Sequence, residues 1–233
     1  MFTNTIKNLL QRLNMHSYIG CFLLGVCAAL SLPPWGAVPL FLIGFSGLLY
    51  ILHHTLTPKV AFISASLFGF GYYLIGLYWI SNALLVHIDE FWWAYPFALV
   101  GLPLFLSLFY GLAGYLAVRF TTIQSISRYA LFLVLLTFID HIRGYILTGF
   151  PWNTPGLIWI EIPIIAQTAS IGGLELLSAL TFLWGGLLFF ILAFWGIHRK
   201  TTYAFTSFAA LIFFACMGYG ASTLSNQDEV AQD

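Results

Sequence analysis

Seven long apolar runs alternate with short interruptions made of charged residues, Gly or Pro: Tyr18–Leu32, Val38–Leu52, Val60–Ala83, Phe91–Val118, Tyr129–Leu147, Ser170–Trp195 and Tyr203–Ser222. A helix that crosses hydrocarbon needs about 20 mostly apolar residues, because backbone in lipid must satisfy its own hydrogen bonds. The pattern therefore predicts an all-α, polytopic membrane protein with about seven transmembrane helices. The first two runs are short, and Pro33-Pro34-Trp35-Gly36 joins them as a tight hairpin, so they cross with help from flanking residues or dip in and return. The fourth run is long enough to tilt, with Pro96 and Pro103 as its kink points. The expected layout is an N-terminal segment over 1–17, a helical domain over 18–222 and a tail over 223–233.

The charges between the runs predict an orientation. Lys7 and Arg12 precede the first run, Lys59 follows the second, Arg119 and Arg128 follow the fourth, and Arg199 and Lys200 follow the sixth. If all seven runs cross, every one of these bases falls on the same side. The other side receives Asp89, Glu90, Asp140, Glu161, Asp228, Glu229 and Asp233, with Arg143 as its one strong base. Lysine and arginine are retained on the cytoplasmic side, so the N-terminus is expected in the cytoplasm and the C-terminus outside it.

Composition agrees with that class. Of 233 residues 61% are hydrophobic and only 7% charged, too few to clothe a soluble domain of this length. The formal net charge of +0 gives no reason to expect a nucleic-acid partner. Cys21, Cys27 and Cys216 lie in apolar runs without metal-like spacing and read as small buried hydrophobes. No small-residue cleavage site follows the first run, so that run reads as a retained helix rather than a signal peptide.

The candidate chemistry gathers where the fifth run ends. Asp140 and Arg143 are spaced i,i+3, so a helix brings them together as an ion pair that closes the helix end. The functional alternative is an Arg143 guanidinium that binds an anionic headgroup. His141 has a general-base reading beside a structural one. Gly149 and Pro151 permit a turn, while Phe150 and Trp152 stand where aromatic rings meet headgroups. Glu175, after Gly172-Gly173, needs a partner such as Arg143 or a helix N-terminus. Glu161 is expected in solvent, and the loop from Thr148 to Pro163 along the membrane surface. Tyr72, Tyr73, Tyr78, Trp79, Trp92 and Trp93 read first as an interfacial belt, with an acyl-chain groove as the alternative. No G-x-S-x-G, H-E-x-x-H or P-loop occurs, and neither a metal nor a cofactor is expected.

The run Asp140-His141-Ile142-Arg143-Gly144-Tyr145-Ile146-Leu147-Thr148-Gly149-Phe150-Pro151-Trp152 closely resembles the segment after the fifth helix of bacterial apolipoprotein N-acyltransferases. Three weaker matches accompany it. Ala28-Ala29-Leu30-Ser31-Leu32-Pro33-Pro34 resembles the family's first-helix ending, and Leu67-Phe68-Gly69-Phe70-Gly71-Tyr72 with Trp79 resembles its third helix. Pro163-Ile164-Ile165-Ala166-Gln167, leading to Gly172-Gly173-Leu174-Glu175, resembles the approach to its sixth. Members often carry Glu where Asp140 stands.

The resemblance implies acyl transfer from a phospholipid to the α-amino group of a diacylglyceryl-cysteine lipoprotein, in the bacterial inner membrane. Arg143, Gly149, Phe150, Pro151 and Trp152 become expected contributors to a lipid-facing mouth, to which Glu175 is added. The family's catalytic Glu, Lys and Cys belong to a nitrilase-like domain expected about where this chain stops, at Asp233, so no catalytic residue carries over. The expectation is a membrane half, inactive alone, whose catalytic half is a separate nitrilase-like chain or is lost. A non-enzymatic lipid- or lipoprotein-binding multipass protein is the alternative. A small transporter is a third reading, which the want of a midplane charge pathway and of an internal repeat disfavours.

Overall fold

Local signals set several of the helix starts. The computed structural model describes residues 18–146, 149, 151–194 and 198–230, the last four of these as backbone only. Within it α1 spans Tyr18–Ala29, and α2 (Val38–His54) opens with a proline in its first turn, where a missing N–H costs nothing. The same device opens α3 (Pro58–Gly76), where the Thr57 side chain also caps Val60 N. After α3 come α4 (Tyr78–Leu85) and α5 (Ile88–Phe91), a π-helical turn at Phe97–Gly101, and α6 (Leu102–Phe120). The Ser125 hydroxyl caps α7 (Ile126–Arg143) by accepting from Arg128 N. A 3-10 turn at Pro155–Trp159 and the short α8 (Pro163–Ala166) lead into α9 (Ala169–Gly185), α10 (Leu187–Phe194) and α11 (Arg199–Val230). Every regular element among the described residues is helical.

Four stretches are long and apolar enough to cross a membrane: Pro58–Gly76, Phe97–Phe120, Ala169–Phe194 and Arg199–Asn226. Tyr18–Ala29 and Val38–His54 are shorter apolar helices. Helix α7 has 18 residues but holds Arg128, Asp140 and Arg143.

Three expected runs prove not to be single helices. The run Val60–Ala83 breaks at Leu77, between α3 and α4. The run Phe91–Val118 breaks before Pro96, and regular α-helix begins only at Leu102. Within Ser170–Trp195, Gly172 and Gly173 leave helical geometry, the latter at φ 70, ψ −174, a conformation essentially restricted to glycine. The broken backbone between α9 and α10 is repaired from another helix. Ser46 Oγ donates to Gly185 O at 2.7 Å and accepts from Phe189 N at 3.1 Å. Such repair is what lets irregular backbone persist in an apolar interior.

Small residues allow the helices to approach closely, as expected where lipid supplies no hydrophobic drive between them. Gly25 of α1 lies against the Phe68 carbonyl of α3, and Gly114 of α6 lies against Ala61 and Ala65 of α3. Phe45 centres the core, with its ring centroid 5.3–6.4 Å from those of Phe41, Phe68, Phe132 and Phe182.

One end of the bundle is organised by Arg128. Its Nη1 donates to Leu52 O at 2.9 Å and to Thr55 O at 2.7 Å, and its Nε donates to Thr121 Oγ1 at 3.2 Å. That draws the turns after α2 and α6 together, with Lys59 and Arg119 nearby in sequence. The opposite end collects the α1–α2 hairpin, α4 and the segment after α7, since Trp35 packs on Tyr78 and Trp79 on Trp152. Lys7 and Arg12 in the expected 1–17 segment, Phe150 and Asp233 lie outside the described residues.

Candidate functional site

The last turn of α7 presents Asp140, His141 and Arg143, and Gly144 ends the helix. Arg143 is only 2% exposed. It forms the i,i+3 pair that its spacing implied, with Nη2 2.5 Å and Nε 3.1 Å from Asp140 Oδ1. Its Nη1 donates to the backbone carbonyl of Trp152 at 2.9 Å, and its guanidinium lies 5.5 Å from the Tyr73 ring centroid. The guanidinium thus stands beneath the turn rather than on the surface. A buried cation in an apolar bundle must meet acceptors on several sides, and here a carboxylate, a carbonyl and an aromatic face provide them.

The chain then reverses and lies back on α3. Gly149 has φ +86, and a Cβ there would strike the Gly144 carbonyl. Asn153, also at positive φ, is buried. Its carbonyl accepts from Tyr72 Oη at 3.2 Å, while its side-chain amide sits where Gly76 leaves room. Consecutive carbonyls at Trp152 and Asn153 are therefore held by Arg143 and by Tyr72. Between those anchors the Trp152 ring turns outward and stacks on Trp79, centroids 5.2 Å apart at 30°. Both rings remain nearly half exposed, and Pro151 is exposed beside them.

Glu175 stands on the opening turn of regular helix after the Gly172–Gly173 break, its carboxylate folded over Gly173. Facing it is the His141 ring, with Nδ1 3.9 Å from Oε1. The end of α7 and the start of regular α9 are thus neighbours. Both side chains are about half exposed. Beneath the arginine lies a void of ≈10 Å³ bounded by Tyr73, Tyr110 and Asp140. That is room for one water.

One expectation needs correction. Tyr72 and Tyr73 are not part of an interfacial belt: both are fully buried, because the returning loop and Arg143 give their polar or π groups partners inside. Tyr78, Trp79, Trp92 and Trp93 do remain exposed. The loop before α8 packs partly into the bundle, with Pro151, Trp152, Ile160 and Glu161 exposed. Trp159 is buried, donates Nε1 to Thr181 Oγ1 at 2.7 Å and packs on Trp184. Glu161 is exposed, as expected, with its carboxylate beside Gly36 of the α1–α2 hairpin. Asn153 was not singled out from sequence; its one signal was that asparagine is enriched at positive φ.

These features define a bundle of apolar helices, four of them long enough to cross a membrane, whose buried and half-exposed polar groups meet at one end under an aromatic rim. Residues 24–187 match the apolipoprotein N-acyltransferase N-terminal domain, and the chain belongs to that family. An apolipoprotein N-acyltransferase of Allorhizobium ampelinum is 37% identical over 210 residues, which cover 86% of this chain and 39% of the relative. One from Brucella melitensis is 32% identical over 226 residues, covering 92% and 41%. One from Rickettsia prowazekii is 39% identical over 158 residues, covering 68% and 31%. The chain spans about two-fifths of the length of the first of these relatives.

Proposed function

We propose that this chain is the membrane-embedded part of an apolipoprotein N-acyltransferase, presenting a phospholipid acyl donor and a diacylglyceryl-cysteine lipoprotein acceptor at its aromatic end. The single observation that carries this reading is the family match over residues 24–187, which includes α7 and the pinned turn after it. The proposed topology has seven crossings of the bacterial inner membrane, the Arg128 end cytoplasmic and the Arg143 end, with the C-terminus, outside. The lysine and arginine distribution supports it.

In this reading Trp152, Pro151 and Glu175 contact lipid directly at the surface, and Phe150 is assigned to the same mouth on the resemblance alone. Arg143 and Gly149 act from beneath, fixing the turn that carries those residues. Acyl transfer to an amine needs an activated nucleophile and an oxyanion stabiliser. Cys21 and Cys216 are buried in helices, and Cys27 Sγ faces the Leu40 carbonyl at 3.6 Å. The proposal therefore assigns lipid presentation to this chain and the chemistry to a nitrilase-like part or partner.

The test is lipoprotein N-acylation, read by mass spectrometry of a lipoprotein N-terminal peptide in cells depleted of their own enzyme. The chain alone should give no N-acyl peptide. Co-expression with the portion of the Allorhizobium ampelinum relative that this chain does not cover should restore it. Acylation by the chain alone would refute the division of labour. A second reading, a non-enzymatic lipid- or lipoprotein-binding protein, draws support from the buried state of Arg143 and of two cysteines. It predicts diacylated-lipopeptide binding with no rescue by the added portion, whereas absence of binding as well would refute both.

A further inference from the structure

Between α3 and α6 the chain does something that none of the site features explains. Over 82–97 no residue is buried, although the segment is strongly apolar. Val86 is 75% exposed, Trp92 68%, Trp93 56% and Phe97 68%, with Leu85, Ile88 and Phe91 also on the surface. The segment keeps its shape through its own backbone, as Phe91 N bonds to His87 O, Ala94 N to Phe91 O and Ala98 N to Ala94 O. So large a contiguous apolar surface is not left to water in a stable protein.

Its position narrows what covers it. The two ends of the segment are tied to Pro58–Gly76 and Phe97–Phe120, both long and apolar enough to cross a membrane. The segment is thus held at the level where those helices leave the hydrocarbon, and its exposed face runs on into exposed Leu104, Phe105 and Leu108 of α6. Paired tryptophans are the residues that settle where acyl chains meet headgroups. No lysine or arginine lies between Lys59 and Arg119, while Asp89 and Glu90 stand in the first turn of α5.

We infer that residues 82–97 form an arm lying in the outer membrane–water boundary, its Val86, Trp92, Trp93 and Phe97 side chains embedded among lipid acyl chains. Burial of apolar area holds it there, not attraction to anionic headgroups, so zwitterionic lipid suffices. Trp79, just upstream in α4, stacks on Trp152, which makes the arm the lipid-side wall of the aromatic rim. The arm requires the two flanking helices to span the membrane and does not require acyltransferase chemistry.

The experiment is nitroxide accessibility in phosphatidylcholine vesicles, with Cys21, Cys27 and Cys216 replaced by alanine and single labels at Val86→Cys, Trp92→Cys and Phe97→Cys. Leu104→Cys on α6 is the lipid-facing reference, and Gln124→Cys, exposed in the turn at the Arg128 end, is the aqueous one. The expected result is a Leu104-like excess of oxygen over nickel-chelate collisions at all three arm sites, unchanged by salt. A Gln124-like excess of nickel collisions would put the arm in water and overturn the inference. Low accessibility to both reagents would mean that protein, not lipid, covers the arm, and would overturn it equally. If Leu104→Cys itself behaved as aqueous, the spanning of α6 would fail, and the arm with it.

Discussion

The Arg143 guanidinium donates to the Trp152 carbonyl at 2.9 Å while the Trp152 ring, on the other side of the same backbone, stacks on Trp79 at 5.2 Å. A buried cation thus sets the orientation of an exposed indole. Removing it leaves Asp140 as an uncompensated, largely buried carboxylate. Arg143→Met should lose on the order of 3–5 kcal/mol, the range for breaking one side of a buried pair. Asp140→Asn together with Arg143→Met should recover part of that loss. Thermal unfolding in detergent measures both, and equal stability of the single and double variants would show that the pair is not coupled.

Two glycines on α11, two residues apart, should respond with opposite sign. A Cβ at Gly220 would run into the Ile164 backbone carbonyl of α8, whereas at Gly218 it would meet open space. Gly218→Ala should stabilise by up to about 1 kcal/mol, the difference in helix propensity. Gly220→Ala should push α11 from α8, weaken the Ser170–Tyr219 hydroxyl contact of 2.8 Å and lower the unfolding temperature. Similar melting of the two variants would contradict the packing described.

At the other end, Arg128 serves the last carbonyls of α2, where a cation also complements the helix dipole. Hydrogen bonds from a charged group contribute about 1.5–3 kcal/mol each when their loss strands the partner. Arg128→Ala should therefore destabilise strongly, and Arg128→Lys should restore only a part, because an ammonium cannot reach the α2 carbonyls and Thr121 together in the fork geometry. Hydrogen exchange of residues 52–57 and 121–125 locates the effect. Full rescue by lysine would mean that charge alone matters.

The stacked indoles offer a test of the proposed mouth. If Trp79 and Trp152 act as one surface, Trp79→Ala and Trp152→Ala should each weaken diacylated-lipopeptide binding, and the double variant should be little worse than either. The pair itself is worth about 0.5–1.5 kcal/mol beyond burial. Additive losses measured by titration in nanodiscs would separate the two residues, and wild-type binding by both variants would remove them from the mouth.

Much of the fold was legible because it follows from local rules. The apolar runs fall on helical stretches, four of them long enough to cross a membrane, and the Asp140–Arg143 spacing foretold an ion pair. The family was legible in the stretch from Asp140 to Trp152. Legibility failed where two elements distant in sequence decide the outcome. Composition could not reveal that Tyr72 and Tyr73 turn inward while Tyr78 and Trp79 stay out, since all four lie in one aromatic stretch.

The sequence by itself determined that this is a bundle of apolar helices with Asp140 and Arg143 paired at a helix end, because hydropathy and local spacing act on each segment independently of the rest. Only the tertiary structure decided that Arg143 is buried under the turn, that Asn153 sits at positive φ against Gly76, and that Glu175 meets His141. Those outcomes depend on which polar groups find partners once α3, α7 and α9 are packed, and a buried polar group takes the partner that geometry brings within reach.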